Sequence, residues 1–477
     1  RRQRQMCIRD SLLEAALMLL PLAVSLIYGE SCSLSFVISA AAAAVVGAAL
    51  KFFCRSDSKN LYTRDGLAIV ALSWIGISLF GALPFVISGS IPSFIDAFFE
   101  TVSGFTTTGA SILTDVEALS HGLLFWRSFT HWVGGMGVLV FIMAVMEKTP
   151  ERSVNILRAE MPGHNVDKLT PRASGTAKIL YYIYLALTVL ETVLLLCGGM
   201  PLFDSIVHAL GTAGTGGFGI KADSIASYSH FCQWVITVFM LLFGVSFNMY
   251  YLLLIKRWRE VLKSNELKCY LGISLAAMII VVLSIMPLYG SIADAVRLSA
   301  FQVSSIVTTT GYATADFDAW PSLAKAVLLI LMFFGGCMGS TAGGLKMSRV
   351  TVLAQIARND LRHALRPREV STVILNGRRV DAQGERQILS YFALYIAVIG
   401  AVFLLISFEP FGIETNFSAT VSCVNNIGPG FGQVGPSLSY ADYSAFSKLV
   451  LSFAMLLGRL EIYPLLLLLS PQLWTKR

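Results

Sequence analysis

The chain alternates long apolar runs with two kinds of shorter segment. Runs that read as membrane-spanning helices lie at Leu12 to Tyr28, Ser35 to Phe53, Gly66 to Ser88, Leu124 to Met146 and Ile179 to Cys197. Five more follow at Trp234 to Ile255, Tyr270 to Pro287, Ala324 to Phe334, Ile388 to Ile406 and Phe446 to Leu469. The fuller runs suffice to cross a hydrocarbon core of roughly 30 Å. Between them, Asp96 to Phe105, Phe203 to Leu210, Asp294 to Val307 and Asn416 to Cys423 are half-hydrophobic and only about half a crossing long. Each of these short helices runs into a glycine-bearing loop: TTTGAS (Thr106 to Ser111), GTGGFG (Gly214 to Gly219), TTTGYA (Thr308 to Ala313) and NNIGPG (Asn425 to Gly430).

Superposed, the four loops share one glycine each, at Gly109, Gly217, Gly311 and Gly428. Six residues earlier stands a small residue (Ser103, Gly211, Ser305, Ser422), and two residues later another (Ser111, Gly219, Ala313, Gly430). Small side chains at such places let a short helix pack closely and a backbone turn freely. A short helix that enters the bilayer and cannot leave on the far side predicts a re-entrant loop. Irregular backbone at that depth survives only inside protein or around a water-filled cavity. Four such loops on four helix pairs predict a ring about one axis, an all-α polytopic membrane protein with two extra N-terminal spans. The boundaries read as residues 1–65 for the two extra helices, then four pore repeats over 66–172, 173–267, 268–387 and 388–477.

Composition agrees: 55% of residues are hydrophobic and 14% charged. The net charge of +7 does not indicate nucleic acid, because 30 of the 36 Lys and Arg fall in alternate loops, which the positive-inside rule assigns to the cytoplasm together with both termini. The basic, apolar N-terminus is expected to be an uncleaved anchor, since a second apolar segment follows directly and no small-residue cleavage site intervenes. The eight cysteines show no CxxC and no metal-ligand spacing. A G-x-G-x-x-G at Gly214, Gly216 and Gly219 lacks the strand a dinucleotide site needs, so no cofactor is expected.

A ring of loops can turn successive carbonyl oxygens toward an axis in place of a cation's hydration shell. No carboxylate lies in any filter segment, and neutral oxygens favour a weakly hydrated monovalent ion, potassium first. The short helices point their partially negative C-termini at the same place, which favours a cation. Further along, FFGGCMGSTAGGLKM (Phe333 to Met347) holds five glycines in ten residues, each costing about 1 kcal/mol of helix propensity relative to alanine. Either the helix breaks there, or Gly335, Gly339 and Gly343 form a close-packing face at i, i+4. Arg459 interrupts an apolar run and should face a polar interior, at an insertion cost of at least ~2.5 kcal/mol. Glu461, two residues on, is off its helical face. Glu100 and Asp294 sit at the outer mouth, either attracting cations or as solvated helix-end carboxylates.

The fourfold pattern, the two leading spans, GSTAGGLK and LLGRLEIYPLLLL together resemble the TrkH family, within a superfamily that includes KtrB and the fungal Trk potassium transporters. The resemblance implies potassium coordination by main-chain oxygens of Thr107, Thr108 and Gly109; Thr215, Gly216 and Gly217; Thr309, Thr310 and Gly311; and Asn426, Ile427 and Gly428. The fourth loop departs most from the threonine pattern. It further implies an intramembrane gating loop over Gly335, Gly336, Gly339, Ser340, Thr341, Gly343 and Gly344, with Arg459 beside it on the ion pathway. A homodimer in a bacterial inner membrane and a cytosolic, TrkA-like ring of nucleotide-binding domains are implied as well. The competing readings are a secondary transporter that rocks about a midplane site, and a membrane enzyme, for which no convergent acid, base, nucleophile or metal set is present.

Overall fold

The computed structural model describes residues 14–53, 63–137, 173–368, 371–468 and 470–471. Both termini, the loop from Lys148 into Pro171 and the Val138 to Met146 end of the fourth expected span lie outside these residues. Among those described, the structure is almost wholly helical, apart from one short hairpin pairing Ile374–Leu375 with Arg378–Arg379. That hairpin was not expected from the sequence. It forms around Asn376 and Gly377, both at positive φ, the usual chemistry of a two-residue turn.

Among the described residues, four helices are long and apolar enough to span a membrane: Val70–Ile87, Lys178–Cys197, Asn265–Tyr289 and Ala382–Ile406. In the last three, fewer than a third of the residues are buried, so most of their apolar surface faces outward, where lipid must cover it. The short helices show the reverse. In the first, Phe94–Phe105, every residue from Ala97 onward is buried, including Glu100, Thr101 and Ser103. This is an integral membrane protein with its polar groups inside.

The four pore helices are Phe94–Phe105, Leu202–Gly214, Ile292–Val307 and Ile413–Asn425. At 1.5 Å per residue they reach about 18–24 Å, less than a full crossing. The helices that follow them close the ring. His121–Gly135 packs on the first and second pore helices, and His230–Phe243 on the second and third. Ser322–Leu331 packs on the third, and Ala445–Arg459 packs on the fourth and returns to the first. The two extra helices, Leu19–Ile27 and Ser33–Phe53, lie outside this ring against His121–Gly135, Leu83–Ile87 and Thr63–Gly81.

Among the described residues, two of the expected spans are broken, and the helix of the third unit is interrupted past the end of its expected span. The run Trp234 to Ile255 bends by 91° between His230–Phe243 and Phe247–Leu254. Phe446 to Leu469 stops at Arg459 and resumes at Tyr463, with Glu461 and Ile462 at positive φ. The third unit's helix ends at Leu331 and restarts at Met347. Helical packing of Gly335, Gly339 and Gly343 is therefore excluded. Gly339 and Gly344 adopt φ of 76° and 68°, which no α-helix contains. Hydropathy passes over such breaks because apolar residues continue on both sides.

Glu30 does the capping for His121–Gly135. Ser120 holds the N-cap position without a side-chain cap bond, and Glu30 accepts from the amides of His121 (2.6 Å) and Gly122 (3.0 Å). Burial alone raises the Glu30 pKa, but these amides and the His121 ring outweigh it and hold the carboxyl below its ordinary 4.5. A depressed pKa stabilises the fold above the unfolded value, and that stabilisation is lost as pH falls through the folded value. Glu30→Gln should therefore lower the melting temperature in detergent at pH 7 by the equivalent of about 1 kcal/mol, the usual worth of a helix cap. The gap to wild type should begin to narrow near pH 4.5 and close only below the depressed folded value. A gap that stays constant into the acid range would contradict this.

Candidate functional site: a ring of four filter loops

Each pore helix ends in the same way. The residue two before the shared glycine sits in the left-handed region: Thr107, Thr215 and Thr309 at φ 55°, Asn426 at φ 57°. The next residue's amide reaches back to the small residue noted in the sequence: Thr108 to Ser103 O (2.9 Å), Gly216 to Gly211 O (2.9 Å), Thr310 to Ser305 O (2.8 Å) and Ile427 to Ser422 O (2.9 Å). The left-handed residue's own amide bonds three residues back, for example Thr107 to Gly104 O at 3.1 Å. These paired bonds form a Schellman motif, which satisfies carbonyls that a helix end leaves open. The N–H and C=O of one peptide unit point in opposite directions. Tying each amide to the helix therefore turns the preceding carbonyl away from it.

Left-handed backbone is rare for a β-branched threonine and costs of order 1–3 kcal/mol. The side chains hold it in place. Asn426 Nδ2 donates to Thr108 Oγ1 (3.0 Å), which lies 2.7 Å from Thr106 Oγ1, which donates to Val102 O (2.6 Å). The third loop repeats the hydroxyl pair, Thr308 with Thr310 at 2.8 Å and Thr308 to Ser304 O at 2.6 Å. Threonine runs thus recur because their hydroxyls brace the loop from behind. Asparagine is the residue that, after glycine, best tolerates the left-handed cap, so the fourth loop keeps the conformation while losing the threonine.

The shared glycines, at φ of 80°, 76°, 86° and 104°, converge. A β-carbon on Gly109 would overlap Gly216 O, one on Gly217 would overlap Thr310 O, and one on Gly311 would overlap Ile427 O. One on Gly428 would lie 2.7 Å from Thr108 O. The contacts run from the first loop to the second, third, fourth and back to the first. They place the carbonyl oxygens of Gly216, Thr310, Ile427 and Thr108 each beside the shared glycine of an adjacent loop, so that the four loops close on one another. The ring is not fully symmetric, because Tyr440 Oη donates to Gly428 O (2.8 Å).

Directly beneath lies the interrupted helix. Gly343 N donates to Thr309 Oγ1 at 2.6 Å, so the loop touches the third glycine-bearing loop. The other broken helices hold it from the sides. Cys337 N donates to Gly244 O (2.8 Å) and Phe247 N to Gly339 O (3.0 Å), both at the 91° bend. Thr341 Oγ1 donates to Phe243 O (3.3 Å), and Ser340 Oγ turns back to Cys337 O (2.6 Å). A β-carbon on Gly335 would overlap Gly343 O, and one on Gly336 would lie 2.7 Å from Gly244 O. Gly344 packs against Gly335 from the other strand of the loop.

Arg459 donates to Thr341 O (2.8 Å), Gly135 O (2.8 Å) and Gly134 O. The last two are carbonyls at a helix C-terminus, where a cation is favoured. The guanidinium thus clamps the loop to the first repeat. The cavity it shares with Ser340, Gly343 and Lys346 has a water-accessible volume of about 40 Å³, room for a few waters.

Four further residues have partners that the sequence does not mark. Lys346 is buried with its ammonium on Ala342 O, and Glu266 accepts from the amides of Met338 (2.6 Å) and Ser348 (3.1 Å). Glu461 pairs with Arg349. His131 Nδ1 donates to Gly104 O (2.8 Å), with its ring against Gly216. Apart from Lys346, whose acceptor lies four residues earlier, their partners are far away in the chain, so no local motif marks them. The expectation for Glu100 is corrected. It is 1% exposed and paired with Arg127, neither solvated nor facing the mouth. Asp294 is partly exposed but bonded to Arg297 at 2.6 Å.

Comparison with known proteins decides the family. The profile described as TrkH, cation transport protein, matches residues 33–476. The chain belongs to the TrkH family. The Trk system potassium uptake protein TrkH of Salmonella typhimurium is 34% identical over 463 residues, covering 96% of this chain and 95% of that protein. The uptake protein TrkG of Escherichia coli is 33% identical over 468 residues, with the same coverage. The crystal structure of the potassium transporter TrkH from Vibrio parahaemolyticus matches with a TM-score of 0.88 at 32% identity, over 99% of both chains. As a member of the TrkH family of transport proteins, the chain is not an enzyme.

Proposed function

We propose that this protein takes up potassium across a bacterial inner membrane. The ion passes through the ring formed by Thr107 to Gly109, Thr215 to Gly217, Thr309 to Gly311 and Asn426 to Gly428. The single observation that carries this reading is the cyclic seating of each shared glycine beside the neighbouring loop's carbonyl oxygen. Rings of uncharged oxygens substitute for the water shell of a large monovalent cation. The names of the relatives agree with that ion. Potassium is the cargo, and no resident cofactor is needed.

The loop over Gly335, Gly336, Gly339, Ser340, Thr341, Gly343 and Gly344 acts as the gate, held by Arg459. Both termini face the cytoplasm, and the four repeats divide as the sequence suggests. The exposed end of helix Met347–Leu365 and the hairpin with Arg378 and Arg379 offer a docking face for a nucleotide-binding, TrkA-like regulator. The working unit is a homodimer in the lipid bilayer. In a bacterium lacking its own potassium uptake, expression together with such a regulator should restore growth at low potassium. No rescue by protein that reaches the membrane would refute the reading.

A further inference from the structure

At three of the four junctions, the segments that follow the filter loops are tied together in the same cyclic order as the glycines. The residue two after the shared glycine offers its carbonyl to the preceding repeat. Ser111 O receives the amide of Tyr440 (2.8 Å), and Ala313 O receives the amide of Ile225 (3.0 Å). At the junction between the first and second repeats the corresponding carbonyl is Gly219 O. There the donor is a side chain, Arg127 Nη1 at 3.2 Å. A main-chain bond at two junctions is thus replaced by a guanidinium at a third.

Arg127 is built in on every side. Its Nε and Nη2 lie 2.9 and 2.8 Å from Glu100 Oε1, Nη2 also donates to Ser111 Oγ (3.2 Å), and the guanidinium lies 4.0 Å over the Phe218 ring. Glu100 in turn accepts from Ser111 Oγ (3.0 Å) and Ile112 N (3.0 Å). Both side chains are almost wholly buried. A buried ion pair is a poor source of stability compared with apolar packing, but it fixes geometry. Every polar group this one contacts belongs to the outer strand of the first or second filter loop. Because the charges cancel, the pair fixes position without placing a net positive charge behind a cation path.

We infer that Arg127 and Glu100 are positioning residues for ion discrimination, holding the first and second filter loops at the separation that fits the permeant cation. This rests on the proposed function and names what sets its selectivity. Arg127→Lys tests it, since it preserves charge but one ammonium cannot reach Glu100, Ser111 and Gly219 together. Sodium and potassium uptake are to be measured in proteoliposomes, with melting and elution profiles of the same samples. The expected result is a sodium-to-potassium flux ratio at least about tenfold above wild type in protein that melts as wild type does. Folded protein with an unchanged ratio, including one in which both fluxes fall together, overturns the inference. If Arg127→Lys does not fold, Ser111→Ala, which removes one shared partner, decides: a ratio raised about threefold supports the inference, and an unchanged one overturns it. Wild-type protein that carries no potassium would instead refute the function itself.

Discussion

Gly217→Ala should reduce potassium flux roughly 100-fold, equivalent to about 2.7 kcal/mol. Two costs act together there. The backbone is left-handed at φ 76°, which an L-residue adopts at a penalty of roughly 1–2 kcal/mol. The added methyl group would also overlap Thr310 O, a main-chain atom that moves only by shifting the third loop. Gly29→Ala separates the two costs, since Gly29 is left-handed at φ 67° but has open space around it. That variant should lose some stability and keep its flux. Gly428→Ala should fall between them, because its methyl would meet Thr108 O at 2.7 Å. Rubidium uptake into liposomes measures all three. Equal fluxes for Gly217→Ala and Gly29→Ala would mean that the glycine ring does not line the path.

The second large effect has the opposite sign. Arg459→Ala should raise flux in the absence of any regulator by about tenfold or more, because it removes charge-assisted bonds that are each worth about 1.5–3 kcal/mol. It frees Thr341 O on the loop and removes the guanidinium from the Gly134 and Gly135 carbonyls. Arg459→Lys distinguishes a clamp from a charge barrier. A lysine keeps the positive charge but cannot span carbonyls on two segments, so it should behave nearly as alanine does. If Lys restores wild-type flux, charge alone restrains the ion. If neither variant changes flux while both fold, Arg459 does not restrain it.

Much of this site was legible in the sequence. The shared glycine could be aligned across the four loops, and the small residue six before it proved to be the carbonyl partner of the capping amide. Arg459 stood out because a charge in an apolar run has few possible places. The breaks at Gly244 to Ser246 and at Leu460 to Ile462 were hidden, because apolar residues on both sides keep hydropathy high through a bend. The Glu100–Arg127 pair and the bridge from Asn426 to Thr108 join residues from different helices or different repeats, so sequence spacing carries no trace of either. The misreading of Glu100 follows from this. A carboxylate near a helix start is ordinarily solvated, and only the fold supplies its guanidinium.

The backward-pointing amides also limit how this pore can close. Rotating any filter peptide to swing its oxygen out of line would break the bond from Thr108, Gly216, Thr310 or Ile427 to its pore helix and the cap with it. Collapse of the narrowest point is therefore an expensive way to stop ions, and on the proposed reading the movement falls to the segment below. Shutting this conduit should leave its sieve intact.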